Sequence, residues 1–212
     1  MNTKIVSNDI EHRVLEYFLS FLTRFGLSAF TVDRMAKELK MSKRTIYQHY
    51  PAKEAIINAF IGQVEARLDL HFEKMKALKV RPAKRFILTI RGVLDVLTPF
   101  LNQSIADLKF LYPEIWHSLT EYRLTKFGYL FSLLRQAQAD GDLNPNLNLD
   151  RLAFLLPLIL DELFQPEIVF HPSYAARDMM EEIFLILFQG IFTGEMRETL
   201  LQLLHKVPAP GV

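Results

Sequence analysis

TVDRMAKELKMSKRTIYQHYPAK, residues 31–53, is the stretch whose reading decides the fold. It announces two short helices with the same device used twice. Thr31 is placed to cap the first, whose Val32, Met35, Ala36 and Leu39 form one apolar face, while Phe30 is placed to staple onto Met35. The chain breaks at Lys40 and Met41. Ser42 then caps the second helix, and Met41 staples onto Ile46. Tyr50 and Pro51 end it, since the residue before a proline is pushed out of the α region. Ala36 is small where the two helices must cross, and Ile46 and Tyr50 face inward. Helical periodicity therefore leaves Lys43, Arg44, Thr45, Tyr47, Gln48 and His49 on the outer face. Nearly all of these side chains donate hydrogen bonds. Such a face suits the major groove of a duplex, where base edges present mostly acceptors between flanking phosphates.

The same logic extends outward. Ile10, Val14, Phe18, Phe21, Leu22 and Phe25 recur at helical spacing, with Gly26 as a left-handed stop, and predict a first helix over about 9–25. After Pro51, the stripe Ile57, Phe60, Ile61, Val64, Leu68, Phe72 and Met75 predicts a long helix to about residue 78, roughly 40 Å in length. Further helices are expected at about 83–98, 102–111, 113–139, 150–165, 174–192 and 195–206, separated by Pro99, Pro113, the turn-rich DGDLNPNLN (140–148) and HPS (171–173). No long window alternates apolar with polar residues, so the fold class is all-α.

Composition narrows the functions. The 212 residues include seventeen Phe and seven Tyr, enough for a sizeable core, and no Cys, which excludes disulfides, thiolate zinc sites and cysteine nucleophiles. Residues 1–53 carry nine basic and five acidic side chains, whereas the remainder carries sixteen and nineteen: a basic head on a mildly acidic body points to a polyanionic partner for the head. The charged start and the short greasy run Leu152–Leu160 argue against secretion and membrane insertion, giving a cytoplasmic expectation with no membrane partner. Enzymatic machinery is missing: there is no glycine-rich phosphate loop, no GxSxG elbow and no HExxH pair. The six histidines, at 12, 49, 71, 117, 171 and 205, lack metal-ligand spacing. The expectation is a protein that is not an enzyme and holds no metal or cofactor. A helical adaptor that binds no DNA is the other rival, but it leaves the donor-rich outer face without a purpose.

The segment FTVDRMAKELKMSKRTIYQHYPAKEAII resembles the N-terminal signature of the TetR family of bacterial transcriptional regulators, over about residues 10–60. Ala36, Thr45, Tyr47, Tyr50 and the pair Lys53 and Glu54 carry the likeness. It departs at Lys40, where the family often has glycine, and at Arg44, where many relatives do. A left-handed Lys40 would cost about 1–2 kcal/mol relative to glycine. The resemblance implies a helix-turn-helix DNA-binding domain over 1–53, joined by a long helix to a ligand-binding and dimerisation domain over 54–212. It implies phosphate contacts from Thr31, Ser42, Tyr47 and Lys53, and places Lys43, Arg44, Thr45, Gln48 and His49 nearest the bases. Gln48 for adenine and Arg44 for guanine are the chemically matched readers.

For the body the family implies a homodimer through the last long helices, here near 150–165 and 174–192. The segments LAFLLPLILDELF (152–164) and MMEEIFLILFQGIF (179–192) are apolar around most of their circumference, as such a role demands. Pro157 would bend the first, and Gly190 would permit close backbone approach in the second. Asp161 and Glu162 need partners, for which Arg151 and Arg177 are candidates. The family also implies an effector cavity among the middle helices. Phe110, Tyr112, Trp116, His117, Tyr122 and Phe127 are the candidate wall for an apolar or aromatic effector, and no charge cluster in this region marks the effector as ionic. Together these give a DNA-binding regulator, by family habit a repressor, released from a pseudo-palindromic operator by a small molecule.

Overall fold

The computed structural model describes residues 2–97, 99, 103–162 and 176–204. Among these, ten helices run in order: α1 Asn2–Phe25, α2 Val32–Leu39, α3 Lys43–His49, α4 Lys53–Ala77, α5 Pro82–Leu97, α6 Gln103–Leu111, α7 Pro113–Ala139, α8 Leu149–Glu162, α9 Ala176–Gln189 and α10 Gly194–Leu204. No strand is present among the described residues; an isolated bridge, Leu143 to Phe192, ties the α7–α8 turn to the chain after α9. No helix among them is long and apolar enough to cross a membrane.

The caps form as the sequence predicts. Thr31 Oγ1 accepts from Arg34 N at 3.3 Å, and Ser42 Oγ accepts from Thr45 N at 3.0 Å. Gly26 closes α1 at φ 77°. Lys40 does take the left-handed conformation, φ 54° and ψ 41°, and the turn around it is a Schellman closure: Met41 N donates to Ala36 O at 2.9 Å and Lys40 N to Lys37 O at 3.3 Å. The two bonds hold a conformation that a side chain disfavours.

Two apolar cores result. In the head, α1, α2 and α3 pack on one another and on the start of α4, with Phe18 edge-on to Phe30 and Phe60 at 4.7 and 5.3 Å between ring centres. Met35 and Ile46 are wholly buried there. In the body, α5 packs against α4, α7 and α10, and its Phe86 meets Phe188 of α9 at 5.0 Å. α4 crosses α5 where Gly92 leaves room for His71, whose ring lies 2.1 Å from where a Cβ would stand and 3.1 Å from Thr89 O through Nε2.

Several details differ from the sequence expectation. α1 begins seven residues earlier than the apolar spacing from Ile10 shows. The buried face of α4 includes Ile56, outside the predicted stripe, because its first turn is enclosed by the head, while Ile61, Val64 and Met75 are only half-buried. Gly190 makes no close approach, its nearest would-be Cβ neighbour being Leu187 O at 4.0 Å. Asp161 pairs with Lys109 of α6 rather than with Arg151, Nζ to Oδ2 3.0 Å, the ammonium also donating to the Asp161 carbonyl at 3.2 Å. Residues 163–165 and 174–175 of the two predicted apolar helices, the HPS turn at 171–173, His205 and the end of the last predicted helix lie outside the described residues, as does the Arg177 side chain.

Replacing Lys40 by glycine removes the left-handed penalty but makes the unfolded chain freer, so Lys40→Gly should stabilise by about 0.5–1 kcal/mol net. A urea unfolding curve followed by far-UV circular dichroism should show the midpoint rise; a fall would mean that the Lys40 side chain itself supports the turn.

Candidate nucleic-acid interface and buried cavity

α3 has seven residues, too few to be helical alone, and is held by the burial of Ile46 and by Tyr50, which is 7 % exposed. Burial, together with the nearby Glu11 carboxylate, pushes the Tyr50 phenol up to about 12, so it is a neutral core group at physiological pH. With that face fixed, Lys43, Arg44, Tyr47 and Gln48 are exposed, Tyr47 at 44 %. Arg44 and Gln48 stand one turn apart and therefore share a face. Thr45 is half-buried and shares a 2.8 Å hydrogen bond with the Ser42 hydroxyl. Lys43 pairs with Asp33 of α2, an exposed pair that a phosphate could replace at little cost. Lys53 sits 5.5 and 5.6 Å from the Phe30 and Tyr112 ring centres, a cation held over aromatic faces.

His49 departs from the outward position read from periodicity. Its side chain is only 16 % exposed, and Nδ1 lies 3.2 Å from Glu11 Oε1. It is the last residue of α3, where the helix turns back toward α1, so its ring faces the head rather than open solvent.

The head does not stop at α4. Leu108 of α6 and Ile115 of α7 are buried in its core, with Tyr112, Trp116 and Leu119 packed alongside. Two polar contacts reinforce the joint: Asp107 Oδ2 accepts from Ser28 N at 2.7 Å, and Ser104 Oγ donates to Leu22 O at 3.4 Å. Asp107, 9 % exposed, thus caps the turn between α1 and α2 from outside the head. No signal in the sequence pairs residue 28 with residue 107.

Behind this joint lies a cavity of about 160 Å³, walled by α4, α5, α6, α7, α8 and α9. Leu68, Phe72, Ile90, Phe131, Leu160 and Phe188 typify its lining. Of the sequence candidates, Trp116, Tyr122 and Phe127 line it. Phe110, Tyr112 and His117 do not: Phe110 is 53 % exposed, Tyr112 packs on the head core, and the His117 side chain is 73 % exposed and beside Glu121 at 3.4 Å. Only one face of α7 meets the cavity, and His117 projects from another. Two cations that the sequence reading did not single out, Arg123 and Lys126, also belong to the wall. Burial lowers the Arg123 pKa, against the pull of Asp161. The Lys126 ammonium bonds to the Asp69 carboxylate and holds its pKa down, while burial and the Asp69 contact raise that of Tyr122, whose hydroxyl donates to Asp69 at 2.8 Å. Among the described residues no group of His, Asp and Glu is arranged to hold a metal.

A three-helix head that turns a short donor-rich helix outward, set on a helical body with an apolar cavity, defines the class of DNA-binding transcriptional regulators with a helix-turn-helix reader. Residues 20–60, the part of the chain that builds most of the head, match "Bacterial regulatory proteins, tetR family". Over 191 residues the chain is 22 % identical to the HTH-type transcriptional regulator YvaF of Bacillus subtilis (strain 168), covering 88 % of this chain and 97 % of YvaF. A TetR-family regulator from Marinobacter aquaeolei VT8 shares the fold with a TM-score of 0.70 at 19 % identity, covering 92 % of this chain and 97 % of its own. CprB of Streptomyces coelicolor, solved in complex with its operator sequence, does so with a TM-score of 0.67 at 14 % identity, covering 94 % and 96 %. The likeness is to regulators rather than enzymes.

The Asp107 contact makes a specific demand on stability. Asp107→Ala leaves the Ser28 N–H without its acceptor and should cost about 1–3 kcal/mol, read as a lower urea midpoint; an unchanged midpoint would mean that water replaces the carboxylate without loss.

Proposed function

We propose that the protein is a repressor that binds a pseudo-palindromic operator as a homodimer and releases it when a small effector with an apolar body fills the cavity. The observation that carries this reading is that α6 and α7 belong to both halves. Ile105, Trp116 and Leu119 line the cavity, while Leu108 and Ile115 are buried in the head core. A molecule that binds one arrangement of these helices better than another shifts the head with them, by no more than its difference in affinity for the two.

In this reading residues 1–53 meet DNA and residues 54–212 sense and dimerise. Arg44 and Gln48 read guanine and adenine, with Lys43 and Thr45 beside them. Thr31, Ser42, Tyr47 and Lys53 hold phosphates, and His49, half-buried against Glu11, steadies the end of α3 or reaches the groove only at its edge. Two copies of α3 would enter successive major grooves about 34–36 Å apart. The operator complex of CprB, which shares the fold, supports this docking.

Dimerisation is assigned to α8 and α9, the described parts of the segments near 150–165 and 174–192. Phe154, Leu158 and Ile186 are 71, 53 and 64 % exposed, an outlay of apolar surface that a monomer would not sustain.

A gel shift with Arg44→Ala plus Gln48→Ala should lose discrimination for the operator by about tenfold or more while helicity is kept. Unchanged specificity would remove the base-reading assignment. In light scattering, Leu158→Glu plus Ile186→Glu should convert a dimer of the 24.7 kDa chain into a monomer, and a dimer that persists would place the interface elsewhere.

A further inference from the structure

The cavity wall is apolar except along one edge of α7, where Thr120, Arg123 and Lys126 interrupt it beside Trp116 and Tyr122. The charges that face this corner come from three helices. Lys109 of α6 lies 3.0 Å from Asp161 Oδ2 of α8, and Lys126 is paired with Asp69 of α4. Glu65, one turn before Asp69 on α4, is partly buried and held toward its neutral form by burial and then by Asp69. Arg123 is the more loosely held cation: its Nη2 is 3.8 Å from Asp161 Oδ1, within reach of an ion pair but too long for a hydrogen bond. Its Nε–H is sealed from solvent and has no acceptor among the described residues. The guanidinium sits 5.9 Å from the Trp116 ring centre, with 22 % of the side chain exposed.

A buried donor without an acceptor is costly, and more so on a charged group. Arginine presents Nε–H and an Nη–H in a fork that fits the two oxygens of a carboxylate. A neutral hydroxyl offers this fork one acceptor and no charge, and an ammonium is repelled by it. The remaining wall asks for hydrocarbon, and its volume of about 160 Å³ resembles that of apolar cavities that hold a benzene ring.

We infer that the effector is a small amphipathic acid, its ring or short alkyl body among the apolar side chains of α4, α5, α8 and α9 and its single anionic group on Arg123. This rests on the cavity being the effector site. It adds the polar end of the molecule, which an apolar lining alone leaves open.

The test compares three probes of one length on the full chain: octanoate, octan-1-ol and octylammonium, by calorimetric titration, followed by operator release in a gel shift. Octanoate should bind about tenfold or more tighter than octan-1-ol, the increment expected of a charge-assisted hydrogen bond, and octylammonium should bind most weakly. Arg123→Gln should bring octanoate down to the level of octan-1-ol while leaving the alcohol unchanged, which also shows that the variant is folded; Arg123→Lys should keep part of the preference for the acid. Equal or tighter binding of octan-1-ol in the native chain overturns the inference, as does an Arg123→Gln chain that still prefers the acid. If none of the three probes binds, the inference falls together with the cavity as effector site. If octanoate binds with the expected selectivity and the operator is not released, the acid site stands and the reading of release fails.

Discussion

The seven residues of α3 can do nothing alone: a helix of two turns does not persist in water, and its orientation is borrowed from what it covers. Burial of Ile46 in the core it shares with Met35 and Phe18 is the constraint from which the outward face of α3 follows. Once Ile46 is inside, helical geometry puts Arg44 and Gln48 outside. The caps at Thr31 and Ser42 and the closure at Lys40 fix where each short helix starts and stops, so a shift of one residue would bury a charge and expose a methionine. A fully buried aliphatic side chain is worth about 1.5–3 kcal/mol, more than any surface ion pair around it.

The same core reaches beyond the head. Because Leu108 and Ile115 are among its buried members, the cavity and the reader share a wall rather than a linker. Asp107 adds a directional contact to that shared wall. Packed interiors deform little, so helices with one face in each core pass on a displacement instead of absorbing it.

How much of this was legible in the sequence follows from range. Capping residues, staples and apolar spacing act within four or five residues, and the second, third and seventh helices stand where these signals put them; α7 matches its predicted limits of 113 and 139. The exposed face of α3 was legible for the same reason, apart from His49, whose partner Glu11 is 38 residues away. The cavity wall was only half legible. Trp116, Tyr122 and Phe127 could be picked by residue type, but type does not say which side of α7 faces inward, and so His117 was grouped with them while Arg123 was passed over. The joint was not legible at all, since its contacts join residues about eighty apart.

Trp116 is the sole tryptophan of the chain, and it stands where both cores meet, between Lys109 and Arg123, whose cationic groups lie 5.8 and 5.9 Å from its ring. The tryptophan fluorescence of the whole protein therefore originates from the one indole that sees the cavity on one side and the head on the other. Its emission colour and intensity amount to a built-in optical gauge of that boundary, readable without any label.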